Sequence, residues 1–356
     1  MTTGHLSGVL PPGPPPAVPL PAQDDAVAWP TTAWPTAEPD PSVAADLQAI
    51  VDEGFAEPTP DSPYGLPLAL VVIHRGRLVL ERYGPTAGPD EQLISWSMAK
   101  SITQALIGIL VGQGQLDVDG PAPVPEWANA DDPRRAITVD QLLRMVPGLR
   151  FNEDYVDADT SHCIEMLFGV GKEDMAAYAA SQKLIAEPDQ LFNYSSGNTN
   201  ILCRILADAV GRGPDFEAWM REVLLDPIGM DGVLTFDKAG TWVGSSFLDA
   251  TARDFAKFGL LYLRDGVWDG QRLLPEGWVD RARTHRATGA EGERHGAQWW
   301  LWPCDPDVFY ASGYETQRII VDPAADLVLV RLGKTPIERA DTVDAWLERI
   351  RLAFPR

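Results

Sequence analysis

The sequence predicts an α+β fold: one antiparallel sheet built from both chain ends and flanked by helices, with a mainly helical lobe inserted between them. Three observations carry this. Residues 68–83 read as two apolar runs around a tight turn, the signature of a β-hairpin. Strand-like runs return only from residue 298 onward. Between them, apolar residues recur at helical spacing. Strands near both termini can share one sheet only if the chain ends meet, and helices must then cover its faces.

The 356 residues are enough for one large domain or two lobes, and a 45% hydrophobic content is ordinary for a globular protein. The charge balance is 29 − 51 = −22. A surface this acidic repels phosphate backbones and anionic membranes, so neither nucleic acid nor membrane is an expected partner. Three cysteines, Cys163, Cys203 and Cys304, form no Cys-x-x-Cys, so reduced thiols are expected rather than a disulfide framework or a zinc site. The start lacks a basic, then apolar, signal pattern, and no apolar run is long enough to span a bilayer, so the expected location is the cytoplasm. Oligomeric state is not legible.

Taken in order, residues 1–41 form a proline-rich extended arm. Its first twenty or so residues are expected to be disordered, and Trp29 and Trp34 to drape the later part over the folded body. Residues 42–94 and 235–356 are assigned to the sheet lobe and 95–234 to the inserted helical lobe, with a ligand cleft between them. Ser42 is the expected N-cap of a helix reaching Phe55, with Val43, Leu47, Ile50 and Val51 as its apolar stripe. The first hairpin turns through His74-Arg75-Gly76-Arg77. Helices are expected over 138–145, 175–184, 200–210, 215–225, 249–263 and 276–284. Strands follow at 298–302, 308–312, 317–321 and 327–332, and a helix over 337–354 closes the chain.

Chemistry concentrates at Ser97-Met98-Ala99-Lys100, which opens an apolar helix carrying Ile102, Leu106, Ile109 and Leu110. Residues three apart share a helix face. The Ser97 hydroxyl and the Lys100 amine therefore meet near N–H groups that favour negative charge. A serine becomes a nucleophile only when a neighbouring base takes its proton, and lysine serves only when neutral, which needs burial or a nearby cation. The plain alternative is an N-cap followed by a solvated lysine.

Two further runs share this ambiguity. Residues 193–200, Asn-Tyr-Ser-Ser-Gly-Asn-Thr-Asn, are either a helix cap or a source of proton transfer through Tyr194, whose phenolate a nearby lysine would favour. Residues 310–317, with Ser312, Gly313 and Tyr314, are either a tight turn or a place where small residues admit backbone to a bound substrate. In the second case the N–H groups of Tyr314 and Ser97 form an oxyanion hole. The chain has no His-Glu-x-x-His, Gly-x-Ser-x-Gly, P-loop or dinucleotide fingerprint. The five histidines lack ligand spacing and are read as surface or loop residues; no metal or cofactor is expected.

Ser97-x-x-Lys100, Tyr194-x-Ser196 and a glycine-bearing strand at Gly313, in that order, resemble the serine β-lactamase and penicillin-recognising superfamily. The class C-like branch with carboxylesterases and 6-aminohexanoate-dimer hydrolase is the most similar. Residues 142–149, Leu-Leu-Arg-Met-Val-Pro-Gly-Leu, and 254–259, Asp-Phe-Ala-Lys-Phe-Gly, support it, and the resemblance spans about 42–354. It implies Ser97 as acylated nucleophile, Lys100 as its base, Tyr194 as proton donor to the leaving group, and a water activated by the Tyr194/Lys100 pair for deacylation. It implies Tyr155 as a substrate-contacting residue beside Ser196, Ser312 and Gly313. Two departures stand out. Ser196 occupies the place usually held by asparagine, and Ala311 that of a Lys or His which helps hold a substrate carboxylate. The expected activity is hydrolysis of a small ester or linear amide; penicillinase, peptidase and non-catalytic binding remain open.

Overall fold

The computed structural model describes residues 13–289 and 292–356. Eight strands form one antiparallel sheet: β1 (Leu66–His74), β2 (Arg77–Tyr83), β3 (Ala287–Thr288), β4 (Arg294–His295), β5 (Trp300–Leu301), β6 (Phe309–Gly313), β7 (Gln317–Asp322) and β8 (Leu327–Lys334). Their order is β2-β1-β8-β7-β6-β5-β4-β3, so the early hairpin is joined to the late strands through β1 against β8. The α+β reading holds. The β1–β2 turn takes positive φ at Arg75 and Gly76, which suits a two-residue hairpin.

Alternation along β1 sends successive side chains to opposite faces. Leu70 and Val72 join α1 (Pro41–Phe55) and α5 (Ala340–Leu352) in one core with Leu47, Val51, Trp346 and Leu347. Ala69, Val71 and Ile73 join the larger core that holds α2 (Ala99–Gly112), α3 (Ser196–Val210) and α4 (Ala252–Leu263). Helix α2 runs through the middle of that core and is buried from Ala99 to Leu110. Its polar residues Lys100, Ser101, Thr103 and Gln104 are buried along with its apolar ones, so it shows no solvent-facing stripe there.

Several expectations are corrected. The N-cap of α1 is Asp40, whose carboxylate accepts from Ser42 N at 2.8 Å; Pro41 at the first helical position has no N–H to offer. The expected 175–184 helix ends at Ala180, and the first residues expected in the 249–263 helix lie in a short strand, Leu248–Ala250, with Thr251 capping α4. The arm is ordered earlier than expected. Gly13 N donates to the carbonyl of His285 at 2.7 Å, and Arg283 bonds the carbonyl of Val18. Residues 1–12, the start of the expected disorder, lie outside the described residues. Trp29 packs on Trp268 with ring centroids 5.0 Å apart, so the arm does drape over the body.

The histidine reading fails twice. His74 closes β1 and packs on Phe354, and His295 on β4 is fully buried among Phe192, Tyr194 and Trp300. Among the described residues, no helix is long and apolar enough to cross a membrane.

Candidate active site

Ser97 sits in a single 3-10 turn, Trp96–Met98, immediately before α2. The chain enters that turn from a short strand, Leu93–Ile94, paired to Leu248–Ala250. Two further bonds, Ser95 N to the Leu248 carbonyl and Leu248 N to Ser95 Oγ, fix the entry. Trp96 takes φ of 44°, an uncommon left-handed conformation for a bulky residue. Lys100, one turn on, is buried and donates to Ser97 Oγ at 2.8 Å, Ser196 Oγ at 2.9 Å and the Ser245 carbonyl at 2.9 Å. A solvated lysine behind an N-cap is therefore not what this motif forms.

Tyr194 precedes α3, and its ring centroid lies 4.9 Å from Lys100 Nζ. Burial raises its phenol pKa above the ordinary value, and the Lys100 charge with hydrogen bonds from Ser97 and Lys100 only partly offsets this. Lys100 does pull the phenol pKa down, as expected, and burial outweighs that pull. The N-cap of α3 is Ser195, which bonds Asn198 N at 3.2 Å; this frees the Ser196 side chain to turn into the site.

The residue that sequence reading missed is Glu153. Its buried carboxylate accepts from Ser196 N at 2.8 Å and Ser196 Oγ at 2.5 Å, and from the Tyr155 hydroxyl at 3.0 Å. It stands 4.0 Å from Lys100 Nζ. The 151–157 loop reads only as acidic and aromatic, and nothing in its spacing ties one of its three acids to a helix elsewhere in the chain.

A cavity of about 130 Å³ opens above these groups, with Ser97 and Ser196 at its polar base. Trp96, Ile164, Leu167 and Phe168 form an apolar wall, and Tyr155 and Tyr314 stand at the mouth with ring centroids 5.2 Å apart. Cys163 also lines it, its thiol pKa pushed well up by burial. Ser312 and Gly313 are not among the lining residues. The Ser312 hydroxyl accepts from Arg318 at 2.9 Å, and that guanidinium is already paired with Asp344 at 3.0 Å. Gly313 adjoins the Ser97 turn: a Cβ there would lie 2.4 Å from the Ser95 carbonyl. The backbone that its lack of a side chain admits here is the protein's own. Ala311, where a cation was noted as missing, is fully buried. Among the described residues no cluster of His, Cys, Asp or Glu is arranged to hold a metal ion.

This fold, with a buried lysine against a serine at the base of an apolar cavity, defines a serine hydrolase. Residues 67–353 match the Beta-lactamase family model, and the chain belongs to that family. The 6-aminohexanoate-dimer hydrolase of Paenarthrobacter ureafaciens is 26% identical over 305 residues, covering 75% of this chain and 72% of that protein. Two solved structures share the fold. A Bacillus anthracis protein described as a candidate 6-aminohexanoate-dimer hydrolase superposes with TM-score 0.73 at 22% identity, covering 94% of this chain and 89% of its own. EstA of Arthrobacter nitroguajacolicus superposes with TM-score 0.64 at 16% identity, covering 91% and 98%.

Proposed function

We propose that the protein hydrolyses small esters or linear amides through an acyl-enzyme on Ser97. The observation that carries this is the 2.8 Å contact between Lys100 Nζ and Ser97 Oγ at the base of a largely apolar cavity. In this reading Lys100, once neutral, takes the Ser97 proton as Oγ attacks the acyl carbon. The N–H groups of Ser97 and Tyr314 receive the developing oxyanion. Tyr194, protonated at rest, gives its proton to the departing amine or alcohol and regains one through Lys100. A water entering the emptied leaving-group side is activated by the same pair and releases the acid.

The apolar wall of Trp96, Ile164, Leu167 and Phe168 suits the methylene chain of an aliphatic acyl group, with Tyr155 and Ser196 as its polar contacts. Ser312 and Gly313 act from behind, by supporting the Ser97 turn. A substrate carboxylate finds little to hold it, because Ala311 replaces the usual cation and Arg318 is neutralised by Asp344. That disfavours β-lactams and peptidoglycan peptides, whose carboxylate the usual cation would hold. Three free thiols suit the reducing cytoplasm.

The test is turnover of p-nitrophenyl butyrate, 6-aminohexanoate dimer and nitrocefin by wild type and Ser97→Ala. The expected result is turnover of the first two, little of the third, and a loss of about 10⁴-fold or more in Ser97→Ala. Equal turnover by Ser97→Ala excludes the reading.

A further inference from the structure

For Lys100 to act as a base it must first lose a proton, yet at rest it donates to three acceptors, one of them a backbone carbonyl that can only accept. That is the hydrogen-bonding pattern of an ammonium. We propose that Glu153 is the acceptor of that proton and that the Ser196 hydroxyl carries it across. This rests on the Ser97–Lys100 hydrolase reading and adds to it the group that switches the base on.

The geometry is specific. Lys100 Nζ and Glu153 Oε1 are 4.0 Å apart, too far for direct transfer, and Ser196 Oγ bridges them at 2.9 Å and 2.5 Å. The hydroxyl accepts from the amine and donates to the carboxylate, so the chain of donors already points toward Glu153. The carboxylate is fixed at the far end by Ser196 N, in the first turn of the 15-residue helix α3, and by the Tyr155 hydroxyl. The balance is simple. One Lys100 N–H bond breaks as an O–H bond forms at Ser196. The original Ser196 O–H bond breaks as one forms at Glu153 Oε1. An ion pair becomes a neutral amine and a neutral acid, with no charge leaving the cavity. Burial disfavours the charged pair, so the neutral pair is accessible where it would not be in water. The freed lone pair on Lys100 then receives the Ser97 proton. Glu153 touches no reacting atom in this scheme and is a positioning residue that acts through Ser196 and Lys100.

The other titratable groups facing this pair leave it alone near neutrality. Tyr194, Tyr155 and Cys163 are all raised by burial, and His295 is lowered by burial to about 3. Because the active pair holds one shared proton, wild-type kcat/KM should be level across neutral pH. With the carboxylate gone, the Lys100 proton must leave to solvent.

The experiment is kcat/KM for p-nitrophenyl butyrate from about pH 5 to about pH 10 in wild type, Ser97→Ala, Glu153→Gln, Glu153→Asp and Ser196→Ala, with thermal melts of each. The expected result is a neutral plateau in wild type. In Glu153→Gln and Ser196→Ala, activity at neutral pH falls about 100-fold and climbs steadily with pH instead of holding a plateau. Glu153→Asp, which keeps a carboxylate, recovers part of the plateau. Should Glu153→Gln fail to fold, the sloped profile of Ser196→Ala carries the proposal. A uniform drop that leaves the plateau intact in both variants overturns the relay while leaving the hydrolase standing. A wild type that releases no p-nitrophenolate, or a Ser97→Ala that releases as much, overturns both.

Discussion

The Cβ that Gly313 lacks would stand 2.4 Å from the carbonyl oxygen of Ser95. Gly313 has φ of −124°, which any residue adopts, so glycine is required for space and not for backbone freedom. This contact seats the end of β6 directly against the turn that presents Ser97. Gly313→Ala must therefore push strand and turn apart. The expected cost is about 1–3 kcal/mol of stability by overpacking and about 100-fold in kcat/KM by displacement of the nucleophile. Urea melts and p-nitrophenyl butyrate turnover check it.

Tyr194 keeps its proton because burial outweighs Lys100. A retained proton matters for a poor leaving group and little for one that departs unaided. Tyr194→Phe should thus slow hydrolysis of 6-aminohexanoate dimer by about 10³-fold and of a p-nitrophenyl ester by about tenfold. Paired kinetics on the two substrates measure the ratio.

His295 has its pKa lowered by burial from 6.5 to about 3, and neither ring nitrogen has a hydrogen-bond partner. A depressed histidine contributes stability that is fully present above its ordinary value and is lost as pH falls toward the folded one. Between about pH 6.5 and about pH 3, wild type should lose roughly 1.4 kcal/mol per pH unit more than His295→Phe. Chemical denaturation of both proteins at a series of acidic pH values measures that difference.

Arg331 is buried without a carboxylate partner and donates to the carbonyls of Glu315 at 2.9 Å, Thr316 at 3.1 Å and Tyr64 at 3.1 Å. Glu315 and Thr316 both have positive φ, so this guanidinium clamps a strained turn just after Tyr314. Arg331→Leu takes a buried charged donor away from all three carbonyls, although Tyr64 keeps a bond from Thr335 and Glu315 one from Thr316, at a cost of about 3 kcal/mol. Activity should fall with it as the Tyr314 turn relaxes. A melting curve with a kinetic assay on the folded fraction tests both.

How much was readable in advance follows physical range. The Ser97–Lys100 pair was legible because three residues along a helix fix a shared face, and the hairpin because alternation and a glycine turn are local. The two core faces follow from the same alternation in β1. Glu153 was not legible: it meets Lys100 from 53 positions further along the chain, from a loop without periodicity to register it. The burial of His295 was hidden for a similar reason, since its neighbours Phe192 and Tyr194 arrive from another segment. The cap of α1 was misread by two residues because Ser42 and Asp40 are both good caps, and the proline between them decides for Asp40. Gly313 was singled out correctly as a close approach, but the partner was the chain itself.

Mass spectrometry of the protein quenched during p-nitrophenyl butyrate turnover, followed by peptide mapping, locates the acyl group. The account predicts a butyryl adduct on the peptide carrying Ser97, absent from Ser97→Ala. Steady turnover with the adduct on another residue, or with none at any quench time, would contradict it.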